Sequence, residues 1–176
     1  MKHILAWVCL LGCVAVAWAQ QSEHLPHGAH VHGHAHMNVV LDDGQVFIEL
    51  ISPMANLVGF EHAPLSHEDK KAWAEARAYL QQTQELFVFA GGRCQLKQTE
   101  LNDPFAEHSH HGHEHSNSHK DLVVTWLYTC DQAMPQALQV NFLPRFSAIE
   151  KLDVNWVSEQ GQGAQVVTPE RVRVDF

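Results

Sequence analysis

Apolar and polar residues alternate over residues 37–41 and again over residues 45–52, which predicts two β-strands. Asp43-Gly44 separates them, and this dipeptide favours a two-residue hairpin turn. With that turn Asp42 faces Gln45, and one face of the hairpin is wholly apolar, so it must be core. The core face is formed by Met37, Val39, Leu41, Val46, Ile48 and Leu50. The outer face carries His34, His36, Asn38, Val40, Phe47, Glu49 and Ile51, so two histidines share it with a carboxylate.

The rest of the chain predicts one helix and seven further strands. Ser66 and Asp69 form an imperfect capping box that opens a helix ending near Gln82. Residues 52–64, with two prolines and a glycine, are expected to form a loop. The helix has one apolar stripe, Trp73, Ala76, Tyr79 and Leu80, and the strands are expected at 86–89, 94–101, 122–130, 138–142, 152–157, 165–168 and 171–174. The predicted fold class is α+β: β-rich, with mostly antiparallel sheets, one substantial helix and a His-rich hairpin loop.

The first 19 residues have the pattern of a secretory signal peptide. A basic start is followed by an apolar stretch and by the small-x-small site Ala17-Trp18-Ala19. We therefore expect cleavage after Ala19, export to the periplasm and a single mature domain over residues 20–176. An alternative is a lipoprotein signal at Cys13, although the residues that follow Cys13 stay apolar up to Ala19. The apolar stretch is too short for a comfortable membrane anchor, so no stable membrane insertion is expected.

The negative net charge of the chain argues against two classes of binding partner. The formal net charge is −9, and loss of Lys2 with the signal makes it −10. An acidic domain is a poor match for nucleic acid or anionic membranes, both of which require a basic surface. It suits the capture of cations.

Two cysteines remain after the signal, Cys94 and Cys130. In an exported chain two cysteines most often form one disulfide, and a cysteine metal site is the less favoured alternative. Their midpoint is Gly112, at the centre of a histidine-rich segment, so both are expected on the arms of one antiparallel hairpin. The tip, which includes the His-rich loop 107–119, has almost no apolar residue and cannot order itself by burial.

The chain has 15 histidines, and most of the mature ones fall into two blocks. In the first block, residues 30–36, histidine alternates with other residues, so an extended chain would project four imidazoles to one side. His62, Glu61 and Glu49 are the candidates to complete a tight metal site there. The candidate ligands of this site are His30, His32, His34, His36, His62, Glu49 and Glu61. The loop is expected to bind metal more weakly through His108, His110, His111, His113, His115 and His119.

Imidazole binds zinc, copper(II) and nickel(II), so ligand chemistry alone does not choose among these metals. Residues 30–38 and 52–64, together with the His-rich insertion and residues 142–146, resemble the ZrgA-type periplasmic zinc-uptake family of Gram-negative bacteria. The resemblance covers the whole mature chain. It implies Zn(II) binding and support of zinc import, with an inner-membrane metal transporter or its binding protein as the recipient.

Two other functions remain as alternatives. Storage or detoxification of metal would use the same ligands without transfer to a partner. An exported metalloenzyme is disfavoured because the chain contains neither His-x-His-x-Asp-His nor His-Glu-x-x-His, and no nucleophile with a nearby base. We therefore expect a binding protein and not an enzyme.

Overall fold

The computed structural model describes residues 31–82, 85–106, 120–131 and 133–176. They form two β-sheets and two helices. The strands are β1 (His34–Asp42), β2 (Gln45–Pro53), β3 (Phe87–Ala90), β4 (Arg93–Asn102), β5 (Asp121–Asp131), β6 (Ala137–Val140), β7 (Lys151–Ser158), β8 (Gly161–Val167) and β9 (Arg173–Asp175). The helices are α1 (Met54–Val58) and α2 (His67–Gln82). The predicted α+β class with one substantial helix is confirmed.

Six strands form one sheet in the order β4-β5-β2-β1-β7-β8, and the other three form a second sheet in the order β3-β6-β9. Every pairing is antiparallel except that of β1 with β7, which is parallel. This parallel pair was not predicted, and it brings the start of β7 beside the histidines of β1. The signal peptide, His30 and the loop 107–119 lie outside the described residues.

The β1–β2 hairpin has the predicted register, with Asp42 opposite Gln45. Asp43 and Gly44 have φ of 41° and 73°, the conformation that a two-residue turn of this kind requires. The six apolar residues of the inner face are at most 3% exposed. The alternation of the sequence therefore determines which face of this hairpin is core.

The core lies between the inner face of the large sheet, α2, the small sheet and residues 142–149. Trp126 is fully buried, and its indole N–H donates to the carbonyl of Leu80 at 3.0 Å, which ties β5 to α2. Phe87 of β3 meets the Trp126 ring edge-on at 5.1 Å. The core is thus built on the inner face of the large sheet.

The predicted capping box is confirmed. Asp69 N donates to Ser66 Oγ at 3.0 Å, and Ser66 N donates to an Asp69 carboxylate oxygen at 3.1 Å. Hydrogen bonds that the carboxylate accepts from Ser66, first from its backbone N–H and then from its side chain, lower the pKa of the Asp69 carboxyl below its usual value. The helix ends at Gln82 as expected, with Trp73, Ala76 and Leu80 buried and Tyr79 half-buried.

The hairpin held by the two cysteines is also confirmed. Cys94 lies opposite Cys130 in the β4–β5 pair, and the two form a disulfide. A β-bulge after Leu96 shifts the register of the outer part of the hairpin by one residue. The described arms end at Ala106 and begin again at Lys120.

Some element boundaries differ from the prediction. Residues 52–64 are not all loop, because β2 continues to Pro53 and α1 follows directly. α1 has a single turn of helix, too short to show a helical period in the sequence. β8 begins at Gly161, earlier than expected, because its glycines do not mark a strand. β9 begins at Arg173 rather than at residue 171.

Candidate metal site

A turn leads into β1 and places the first described histidine. His34 N donates to the carbonyl of Val31 at 3.0 Å, so His32 and Gly33 lie within the turn. Gly33 has φ of +86°, a left-handed conformation that side chains with a Cβ avoid. β1 therefore begins at His34, and among the described histidines of this block, His32, His34 and His36, the expected alternation holds for His34 and His36. His32 is positioned by the turn instead.

Asn56 of α1 holds this turn. It is 3% exposed, and its side chain accepts from Gly33 N at 2.8 Å and donates to the carbonyl of His34 at 2.8 Å. One buried amide thus satisfies the N–H of Gly33, within the turn, and the carbonyl of His34, at its end. No local pattern in the sequence singles out Asn56, because its partners are backbone groups that only the fold brings near.

His32 lies against Glu61, the closest histidine–carboxylate contact among the described residues. The distance from His32 Nε2 to Glu61 Oε1 is 3.0 Å, with the histidine side chain 64% exposed and the glutamate 19%. The carboxylate can only accept, so Nε2 carries the proton, and a neutral ring then has its lone pair on Nδ1. Carboxylates orient zinc-binding histidines in this way.

His62 is exposed and held by a different partner. Its Nδ1 is 3.0 Å from the carbonyl of Ala63, and its ring stacks on Phe60 with centroids 5.0 Å apart. Because a carbonyl only accepts, Nδ1 donates and Nε2 is the nitrogen that a neutral ring can offer to a metal. Glu61 and His62 are neighbours in the chain but have different contacts. The Glu61 carboxylate bonds to His32, whereas the His62 imidazole can offer Nε2 to a metal.

His34 and His36 lie on the outer face of the sheet, as predicted, with His34 half-buried and His36 exposed. Nδ1 of His36 is 3.8 Å from an Asp153 carboxylate oxygen, an ion-pair distance but too long for a hydrogen bond. Glu49 is on the same face and accepts from the side-chain amide of Asn38 at 3.0 Å. It lies one row further along the sheet than His36, a step of about 7 Å.

Two carboxylates near these histidines, Glu150 and Asp153, were not among the predicted ligands. Both are brought there by the parallel pairing of β7 with β1, in which Asp153 lies opposite His36. Glu150 N donates to the carbonyl of Gly33 at 2.8 Å, and a Cβ at Gly33 would come within 3.3 Å of Glu150 Cδ. The local sequence does not indicate that Glu150 and Asp153 lie near these histidines, because their position depends on which strand pairs with β1.

The residues that flank the segment 107–119 contact the stretch from the start of α1 to His62. On one side Phe105 packs against Phe60 at 6.4 Å, and Phe60 stacks on His62. On the other side the carbonyl of Lys120 accepts from Met54 N at 2.9 Å, at the start of α1. The attachment points of the predicted loop therefore lie beside the elements that carry the described candidate ligands, while the loop histidines themselves are outside the description.

Zinc takes about four ligands at about 2 Å. Within residues 31–82, 85–106, 120–131 and 133–176, no three His, Cys, Asp or Glu side chains are grouped so that they could hold a metal ion. The described residues instead provide two pairs, His32 with Glu61 and His36 with Asp153. Each pair has the chemistry to supply part of a coordination shell.

Histidines around the start of β1 and the disulfide-linked β4–β5 hairpin are thus the main features of this β-rich fold. Residues 29–176 match the family model of the ZrgA family zinc uptake proteins. The chain therefore belongs to the ZrgA family, and its role is related to zinc uptake. No curated protein matches the chain. No helix among the described residues is both long and apolar enough to span a membrane.

Proposed function

We propose that this chain is a periplasmic zinc-binding protein that captures Zn(II) through histidines and supports its import. The observation that carries the proposal is the His32–Glu61 pair at the entry to β1, an imidazole oriented by a largely buried carboxylate. Family membership supports the choice of zinc over copper(II) and nickel(II), which the same imidazoles would also bind. The function is binding and delivery and not catalysis.

The tight site is proposed to centre on the start of β1. His32 and His62 offer nitrogens, and Glu61 can either orient His32 or bind the metal itself. The ligands still missing are proposed to come from His30 and from His34 or His36, with Glu49 the most distant candidate. Because imidazole binds metal only when deprotonated, zinc should be held at neutral pH and released on acidification.

The six loop histidines, residues 108–119, are proposed to collect zinc more weakly and to pass it to the tight site. The contact of one loop flank with Phe60, which stacks on His62, and of the other with Met54 of α1 supports this, because it limits how far collected metal must travel. The recipient is proposed to be an inner-membrane metal transporter or its binding protein. Export through the signal peptide 1–19 would place the chain where such a partner is found.

A calorimetric zinc titration of the chain comprising residues 20–176 tests the tight site. His32→Ala should lower the affinity of the tightest site by at least tenfold, because it removes a ligand. His67→Ala is the matched control, since His67 is also exposed but lies at the start of α2 and is not a proposed ligand. Equal affinities of the two variants would overturn the assignment of His32.

Replacement of residues 107–119 by a Gly/Ser linker of equal length tests the loop. The number of zinc ions bound and the rate of capture should both fall, while the tightest affinity is kept. Unchanged stoichiometry and rate would contradict a collecting role.

Growth of a deletion strain separates uptake from storage: poor growth under a chelator supports uptake, and sensitivity to excess zinc supports storage.

A further inference from the structure

The outer face of the six-stranded sheet is organised in rows that run across the strands. One row is apolar at its centre, where Val40 lies beside Val157 on one side and Phe47 on the other, and Phe47 lies beside Leu127. Gln162 and Gln98 occupy its two ends. The register therefore assembles four apolar side chains from four strands, none of which is adjacent in sequence to another, into one apolar row.

This apolar row is open to solvent. Val40 and Phe47 are each 38% exposed and Val157 is 44% exposed, although the inner-face neighbours of the first two, Val39 and Val46, are buried. A groove of about 490 Å³ runs beside the row and is lined on this face by Asn38, Val40, Asn155 and Val157. Contiguous apolar side chains of this kind, rimmed by polar ones, are typical of surfaces that bind another protein.

Carboxylates lie on both sides of the apolar row. Asp42 is in the next row towards the hairpin turn, and Glu49 and Glu100 are in the next row towards the histidines. Glu49 accepts from the amide of Asn38, and Glu100 accepts from the amide of Gln98 at 2.6 Å. The amides donate hydrogen bonds to the two carboxylates but are themselves neutral, so the negative charges of Glu49 and Glu100 are not cancelled.

The lysines of this face do not neutralise those charges. Lys97, at the bulge of β4, donates to Gln95, and Lys151 lies in the row of His34 at the far end of the sheet. Among the described residues, Asp42, Glu49 and Glu100 form no ion pair. A partner that covers the apolar row would therefore meet uncompensated negative charge on both of its sides.

This arrangement disfavours pairing of two copies through the same face. A face-to-face dimer has its two-fold axis in the plane of the interface. If the axis runs along the apolar row, Glu49 and Glu100 of one copy face Asp42 of the other; if it runs across the row, each carboxylate row faces itself. In both cases carboxylates oppose carboxylates, which is unfavourable.

We propose that the apolar row is a docking surface for a different protein, one that presents an apolar strip flanked by lysine or arginine. His36 is four residues from Val40 on the same strand and face, about 14 Å away. A partner seated on the row would thus lie close to the histidine end of β1. That this partner receives zinc rests on the proposed function, whereas the docking surface itself does not.

Site-specific cross-linking followed by a binding measurement tests the surface. A photoreactive phenylalanine analogue at position 47 should form an adduct with one protein in the cells that make this chain. That protein, once purified, should bind the unchanged chain with an affinity that falls as salt is raised, since the flanking contacts are ionic. Val157→Glu should weaken binding by at least tenfold, because it places a charge in the centre of the contact.

Val88→Glu is the matched control. Val88 is an exposed valine of β3, on the small sheet, and its 47% exposure is close to that of Val157, so binding should change less than twofold. An adduct only with a second copy or with a segment of the chain itself, or no adduct, would overturn the proposal. So would binding to the purified partner that neither Val157→Glu nor salt weakens. Val157→Glu should bind zinc like the unchanged chain, so a failure of zinc binding and a failure of docking are measured separately.

Discussion

Two histidine–carboxylate pairs lie near the start of β1, and they differ in how firmly they are held. His32 and Glu61 are 3.0 Å apart, and the Glu61 side chain is only 19% exposed. His36 and Asp153 are 3.8 Å apart, and both side chains are more than 40% exposed. The first pair can orient an imidazole before metal arrives, whereas a solvated pair at the longer distance contributes little order.

The difference has a structural cause. His36 and Asp153 occupy regular positions of two neighbouring strands, where side chains stand side by side and remain in water. His32 lies in a turn that Asn56 and Gly33 shape, and this turn directs it to Glu61. The geometry of the closer pair thus depends on residues that do not themselves bind metal, and substitution of those residues is the strongest test of the comparison.

Asn56→Ala should have the largest effect. It removes the partners of Gly33 N–H and the His34 carbonyl, and the unfolding free energy should fall by about 3 kcal/mol because two backbone groups lose their hydrogen bonds. Urea unfolding of the metal-free chain measures this. Asn38→Ala is the control, since its amide bonds Glu49 on the outer face; its loss should stay below about 1 kcal/mol. Equal losses would mean that Asn56 does not hold the turn.

The two pairs also show which features of the fold and of the candidate site can be predicted from the sequence. The register of the β1–β2 hairpin follows from local features, namely alternation and Asp43-Gly44, and the placement of His36 and Glu49 on the same face follows with it. Symmetry about Gly112 was enough to predict the β4–β5 hairpin. Such elements are predictable because their partners are close in the sequence or marked by cysteines.

The carboxylates at and just before the start of β7, Glu150 and Asp153, were missed for the opposite reason. Asp153 reaches His36 only because β7 pairs in parallel with β1, and nothing in the intervening sequence specifies that neighbour. Asn56 was missed as a positioning residue because its partners are backbone groups, which have no residue identity. The ligand types of the candidate site were therefore predictable, but the contacts that orient them were not.

Gly33→Ala should have an intermediate effect. Gly59 offers a matched control, since both glycines have φ of +86° but only a Cβ at Gly33 would meet another side chain, Glu150 at 3.3 Å. Each substitution should cost about 1 kcal/mol of unfolding free energy for the left-handed backbone, and Gly33→Ala should cost about 1 kcal/mol more for the contact and the displaced turn. Glu150→Ala should restore that second part when combined with Gly33→Ala. If the two glycine variants unfold alike, Glu150 does not constrain the turn.

Glu61→Gln and Asp153→Asn compare the two pairs directly, with the smallest expected effect. Glu61→Gln keeps the shape and one acceptor oxygen but removes the charge that orients His32, so zinc affinity should fall about tenfold. Asp153→Asn should lower it less than threefold, because its carboxylate is solvated and 3.8 Å from His36. Competition with a chelator measures both affinities, and urea unfolding should show that neither variant loses stability. A larger effect of Asp153→Asn would move the tight site from the turn to the strand, and with it the role that we assign to Asn56 and Gly33.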